Sequence, residues 1–314
     1  MTENKILFSI PGFSRNYELN LIFLDLFNKE RSKFYEDVVI DSVFDSFAAP
    51  WSGGRPHEKY TPAGEMFASM MNFNTRGISI RHAFNNMCIN KNHLGDITGN
   101  AILKITSELD TDVPNGCTIN SPDLFDYIKE NYPKLYCVWS TTKEISDIDT
   151  INKLSKDNLL VLSYTFNNDF EQLSKLKYPE NIEILCSEEG CVENCPQRNN
   201  HQLITSKLNM LDLSAHSICL NCPSRLTGTP TYYYNSVSNR AYFISIDDIR
   251  TKYLPRGFNK FKISGRSGKD VSIINTIENY VMYFVKPEFK DEIRNKLLID
   301  YYSTINNKSI PFLF

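Results

Sequence analysis

Eight short runs rich in β-branched and aromatic residues recur along the chain, at 6–10, 38–47, 77–84, 117–120, 135–139, 159–166, 182–186 and 258–263. Most are separated by segments with helical spacing of apolar residues, among them 18–34, 100–109, 124–131 and 170–176. Start signals support two of these helices. Ser121 before Pro122 places a cap ahead of a first-turn proline, and Asp169 three residues before Gln172 resembles a capping box. Strand–helix alternation implies a parallel sheet, and eight such units imply closure. The expected fold is α/β, a TIM-like (β/α)8 barrel formed by residues 1–314 as one domain. An open doubly wound sheet is the structural competitor.

The alternation breaks twice. Residues 48–76 hold Trp51-Ser-Gly-Gly-Arg55 and no crossover of standard form. Between the seventh and eighth runs come a helix over 196–210, a second cysteine pair, and an apparent hairpin over 231–246. The stretch 212–255 is expected to be an insertion, carrying cysteines, folded over the barrel mouth. Residues 271–302 supply closing helices divided by Pro287.

Composition excludes some classes of function. A net charge of −3 and a pI near 6.0 argue against indiscriminate binding to nucleic acid or membrane surfaces. No apolar run approaches the length of a bilayer span, and the first residues are too polar for a secretory signal. Eight cysteines in such a chain suggest a cytoplasmic protein with reduced thiols.

Those cysteines are unevenly placed. Cys88, Cys117 and Cys137 lie in apolar contexts and read as small buried hydrophobes. The other five crowd into 186–222, as Cys186, Cys191-Val-Glu-Asn-Cys195 and Cys219-Leu-Asn-Cys222. Cys191 and Cys195 are spaced to share one helical face, and Cys219 and Cys222 have the gap of a thiolate knuckle. Four thiolates suit tetrahedral zinc or an iron–sulfur cluster equally well on spacing. Cys186, at a strand end, is a fifth candidate. Arg198 stands where a radical-type C-x-x-x-C-x-x-C motif needs its third cysteine, so radical chemistry is not expected.

Barrel sites form at the C-terminal ends of strands. Here those ends carry Arg81-His82-Ala-Phe-Asn85-Asn86, Asn120-Ser121, Ser140-Thr141-Thr142-Lys143, Asn167-Asn168-Asp169, Glu188-Glu189-Gly190 and Ser264-Gly265-Arg266. They suggest a polar mouth over an apolar barrel. Arg55, Arg266, Trp51, Asn85, Lys143 and Asn168 are candidate substrate contacts, with the guanidinium groups suited to an anion. His201, on the helix leaving the first cysteine pair, and Glu189 are candidates for moving protons.

Glu189-Gly-Cys191-Val-Glu-Asn-Cys195-Pro196-Gln-Arg198-Asn-Asn-His201, with Pro255-Arg-Gly-Phe-Asn-Lys-Phe-Lys262-Ile-Ser-Gly265-Arg266, resembles the collagenase-like peptidase superfamily, in particular a bacterial and phage branch of it. The Trp51–Arg55 loop, 140–143 and 167–169 are similar to that branch too. The resemblance implies a TIM-barrel core, a 4Fe–4S cluster held by cysteines, and oxygen-insertion chemistry on RNA bases or a quinone precursor. The cysteine spacing departs from the better-understood relatives, and Ser264 replaces a commoner acidic residue. The expected function is an iron–sulfur enzyme performing a redox or hydroxylation-type modification of a small molecule or structured RNA. Cys191, Cys195, Cys219 and Cys222 would be the cluster ligands. The alternative is a non-catalytic binding module stiffened by structural zinc. Protease activity has little support, because no nucleophile–base pair can be assigned from sequence.

Overall fold

The computed structural model describes residues 5–54, 61–187, 197–218, 242–265 and 270–308. All eight runs are strands: β1 (Ile6–Pro11), β2 (Val38–Asp45), β3 (Ser79–Phe84), β4 (Gly116–Ile119), β5 (Tyr136–Trp139), β6 (Leu159–Val161), β7 (Ile182–Leu185) and β8 (Lys260–Lys262). Each pairs in parallel with its neighbour in sequence, and β8 returns to β1, closing the barrel. The open-sheet competitor is excluded. One irregularity occurs between β1 and β2, where Phe8 faces Ile40 but Ser9 faces Ser42, leaving Asp41 as an extra residue.

The crossover helices form where periodicity and caps agree. These are α1 (Tyr17–Lys29), α2 (Ala63–Asn74), α3 (Ile97–Ser107), α4 (Pro122–Asn131), α5 (Ile148–Ser155) and α6 (Phe170–Leu173). Asp96, Ser121, Asp147 and Asp169 each accept a backbone N–H in the first turn of the helix that follows. The expected gap at 48–76 is corrected, because α2 is an ordinary crossover. It buries Met66, Met70 and Phe73 at helical spacing, and its entry residue, Pro62, makes no side-chain cap. The helices Asp270–Phe284 and Lys290–Lys308 flank a turn at Pro287–Phe289, as the sequence implies. No helix among the described residues is long and apolar enough to cross a membrane.

The expected insertion over 212–255 is corrected in part. Ser245 caps Ile246–Asp248, which continues as tight and wide helical turns through Arg256. The amide of Ile244 bonds the Cys186 carbonyl at the C-terminal end of β7, 3.2 Å away. Arg250 pairs with Asp37, just before β2, at 2.8 Å. Residues 246–256 therefore descend the barrel flank as the crossover to β8. Of the expected hairpin at 231–246, all but the last five residues lie outside the described residues, and no strand is assigned to those five.

Outward-facing strand residues pack on the helices. The Phe8 ring lies 5.0 Å from Phe284, and Phe23 stacks on Tyr280 at 4.2 Å. The lumen is not apolar, which corrects the expectation of an apolar barrel. Arg81 on β3 and Glu183 on β7 form an ion pair with about 1–2 % of either side chain exposed. In a closed eight-stranded barrel these strands stand on opposite walls, so the pair spans the lumen. Tyr136 on β5 bonds Ser79 at 2.8 Å and lies 3.3 Å from the Arg81 Nε. Lys262 on β8 sits 3.9 Å from the second Glu183 oxygen.

Candidate functional site: a cavity in the barrel mouth

Above this charged layer the C-terminal strand ends enclose a cavity of about 290 Å³. Its wall includes Phe44 and Asp45 of β2, Ala83 of β3, Thr118 of β4, Val161 of β6, Leu185 of β7 and Lys262 of β8. Loops add Arg15, Asn16, Gly53, Asn85 and Ser140–Thr142. The helix α7 (Arg198–Asn209) covers one side with His201, Gln202 and Thr205.

Side chains staple α7 to the loops after β2 and β3. Asn86 donates to the Ser206 carbonyl at 2.9 Å, and Asn209 donates to the Gly54 carbonyl at 2.6 Å. The two loops touch so closely that a Cβ on Gly53 would lie 2.5 Å from the Asn85 carbonyl oxygen. Glycine is required there by contact. On the facing wall Asn85 donates to Ser140 Oγ at 3.1 Å, and the Thr142 amide and hydroxyl reach the same oxygen at 3.1 and 2.9 Å. Asp45 accepts the backbone amides of Ser14 and Arg15, at 3.3 and 2.9 Å, and fixes the loop after β1. That loop carries the Arg15 guanidinium into the cavity wall, 3.8 Å from Asp45.

Five polar atoms make this cavity unusual. Asn16 Nδ2, Asn85 Oδ1, Thr118 Oγ1, Thr141 Oγ1 and Gln202 Oε1 are buried without a hydrogen-bond partner, and all five residues line it. An unpaired buried donor or acceptor costs about 1–3 kcal/mol. Five such residues around one hollow give it a polar wall with unmet hydrogen-bonding capacity. Lys262 adds a titratable amine. Enclosure in the lumen pushes its pKa down to about 8, against the pull of Glu183 and with the help of Arg81.

Of the substrate contacts expected from sequence, Asn85 lines the cavity, and so does the expected proton carrier His201. Three others serve the scaffold. Trp51 is buried away from the cavity, donates to the His93 carbonyl at 2.9 Å and fills the space beside Gly99. Lys143 donates to the Asn120 carbonyl at 2.8 Å and lies over the Trp139 ring. Asn168 takes a left-handed backbone (φ 63°) and ties the end of β6 to Tyr253 and Phe243. Arg55, Glu189, Arg266, Cys191, Cys195, Cys219 and Cys222 lie outside the described residues.

Cys186, the fifth candidate ligand, is among the described residues. Its Sγ lies 3.6 Å from the Ile184 carbonyl, on the outward side of β7, while Leu185 faces the cavity. Burial holds the thiol pKa well above its ordinary value. Cys117 and Cys137 are buried neighbours across β4 and β5, as expected of apolar cysteines. Among the described residues no group of three or more His, Cys, Asp or Glu converges. Sequence reasoning missed Arg15, Thr118, Gln202 and Lys262 as cavity residues. For Lys262 the signal was there: a lysine in the penultimate position of an apolar run, on the lumen side of the alternation.

No protein-family model matches this chain, and no curated protein does. Among solved structures, the U32 peptidase Mk0906 aligns over 84 % of this chain and 94 % of its own, with a TM-score of 0.50 and 15 % identity. The two chains share the barrel fold. The resemblance to the collagenase-like peptidases is thereby supported at the level of the fold. At this identity a U32-type barrel carries no assignment of substrate.

Proposed function

We propose that the chain is an iron–sulfur barrel enzyme that modifies a small polar molecule, or a flipped-out base of a structured RNA, held in the mouth cavity. The support for the substrate half of this reading is the polar wall of one hollow at the strand ends, lined by Arg15, Asn16, Asn85, Thr118, Thr141 and Gln202, five of which also hold a buried polar atom without a partner. Asn85, Thr118, Thr141 and Gln202 offer acceptors, and Asn16 offers a donor, to a ligand rich in hydrogen-bonding groups. The cofactor half is supported by the donor set. Cys191, Cys195, Cys219 and Cys222 are four soft thiolates with ligand spacing, and they fit a 4Fe–4S cluster. The described chain leads into the first pair from beside the cavity, leaving β7 after Leu185 and resuming at α7 just before His201. Such a cluster supplies electrons one at a time, and His201 at the cavity wall is placed to hold or move a proton. A peptidase reading is weaker. Ser140, the serine on the facing wall, has both lone pairs taken by the Asn85 side-chain amide and the Thr142 backbone amide, and its hydroxyl meets that of Thr142, which is no general base.

Purification without oxygen is expected to give a brown protein with sulfur-to-iron charge-transfer absorption and about four irons per chain. Cys191→Ser and Cys219→Ser are each expected to lose most of that iron and colour. A colourless protein with one zinc per chain would sink the redox reading and favour a structural metal module.

A further inference from the structure

We propose that Lys262 is an amine nucleophile that forms an imine with the carbonyl carbon of a small oxo acid bound in the mouth cavity. Three observations on its surroundings lead there. First, the side chain retains 12 % exposure and lines the cavity, so its outlet is the ligand space and not bulk solvent. Second, the ammonium is not needed to neutralise Glu183, because Arg81 already closes on that carboxylate from across the barrel. Lys262 Nζ stands 3.9 Å from the other oxygen and 3.6 Å above the Phe44 ring.

Third, the lumen holds an excess of positive charge. Arg81, Lys260 and Lys262 bring three cations to this layer, and Asp41 and Glu183 bring two anions. Burial raises the Asp41 pKa, against the pull of Arg81 and Lys260. A guanidinium does not give up its proton in proteins. Lys260 donates to the Glu180 carbonyl at the exposed rim. The proton that leaves most readily is that of Lys262, and a neutral amine facing a ligand cavity is a nucleophile. The same cavity wall carries Arg15, Asp45 and His201, and the Arg15 fork matches the carboxylate of an oxo acid.

The step balances without a redox partner. The Nζ lone pair bonds to the carbonyl carbon as the carbonyl π pair moves to oxygen. That oxygen then leaves as water with the two amine hydrogens, and a C=N bond remains. The inference uses the cavity of the proposed function but does not need a cluster, so either can fail alone.

The test is reductive trapping on the full-length protein. Glyoxylate or pyruvate is added with borohydride, lactate serves as the non-carbonyl control, and lysine adducts are mapped by peptide mass spectrometry. The expected result is a secondary-amine adduct at Lys262 exceeding that at any exposed lysine by tenfold or more. Its rate should rise with pH to a plateau just above 8, whereas exposed lysines continue to gain towards their ordinary value of 10.5. Lys262→Arg, which keeps the charge, should abolish labelling of that peptide. If this variant does not fold, the wild-type map still decides. Labelling confined to exposed lysines, or equal at Lys262 and elsewhere, overturns the proposal.

Discussion

Arg81→Met is expected to lower the unfolding free energy by about 3–5 kcal/mol, the usual cost of stranding one member of a buried ion pair. Glu183 would keep its charge deep in the lumen with only Lys262 near it, since no other cation among the described residues reaches its oxygens. Urea unfolding followed by circular dichroism measures this directly. Replacing both partners, Arg81→Met with Glu183→Leu, should recover most of the loss, because the pair is then exchanged for packing. A loss below about 1 kcal/mol for the single variant would mean that water reaches the pair and that the lumen is not sealed. A second readout links the pair to the cavity. Arg81 pushes the Lys262 pKa down, so removing it should raise that pKa and move the trapping profile of Lys262 to higher pH.

This cross-lumen pair also shows where sequence reading stops. The eight strands were legible because each is a compact apolar run set off by turn residues, and closure followed from their number. Ser121 and Asp169 were legible as caps because a cap depends only on its own first turn. Arg81 and Glu183 are 102 residues apart, and nothing local to either announces the other. Their meeting depends on closure, which turns two unrelated lumen-facing positions into neighbours. The strand-end rule pointed to Asn85 and 140–142, which line the cavity, since cavity walls in this architecture come from strand ends. Trp51, a candidate from its loop and not from a strand end, packs away from the cavity for a long-range reason. The flexible-looking Trp-Ser-Gly-Gly loop is shaped by two tight contacts: Gly53 against Asn85, and the indole against Gly99 in the next crossover. The α2 helix was overlooked because its start lacks a polar cap, although Met66, Met70 and Phe73 keep the helical period.

Acid is expected to weaken the fold through His82, a strand-end residue whose place in the structure is far from its apparent one. The ring is wholly buried on the outer face of β3, stacked on Phe84 at 5.4 Å and flanked edge-on by Phe13 at 5.3 Å. Thr106 spends its hydroxyl hydrogen on the Ile102 carbonyl at 2.7 Å, so the 2.8 Å contact makes His82 Nε2 the donor to Thr106 Oγ1. Nδ1 is then the bare nitrogen, and it has no hydrogen-bond partner. A second proton would sit on Nδ1 with nothing to accept it, and burial pushes the pKa from 6.5 down to about 3. The unfolded chain takes up that proton near pH 6.5 and the folded chain does not. This stability is therefore intact above pH 6.5 and declines as pH falls towards 3, by about 1.4 kcal/mol per unit. The full loss is on the order of 4–5 kcal/mol over that window, and about 2–3 kcal/mol is gone by pH 4.5. Comparing urea midpoints of the wild type with His82→Leu at pH 7 and pH 4.5 cancels the titration of carboxylates common to both. The wild type should lose ground to the variant on acidification, since leucine has no proton to take up. A difference that stays flat across the two conditions would mean that the imidazole is charged or hydrated inside the fold, and that the aromatic layer outside β3 is more open than its packing implies.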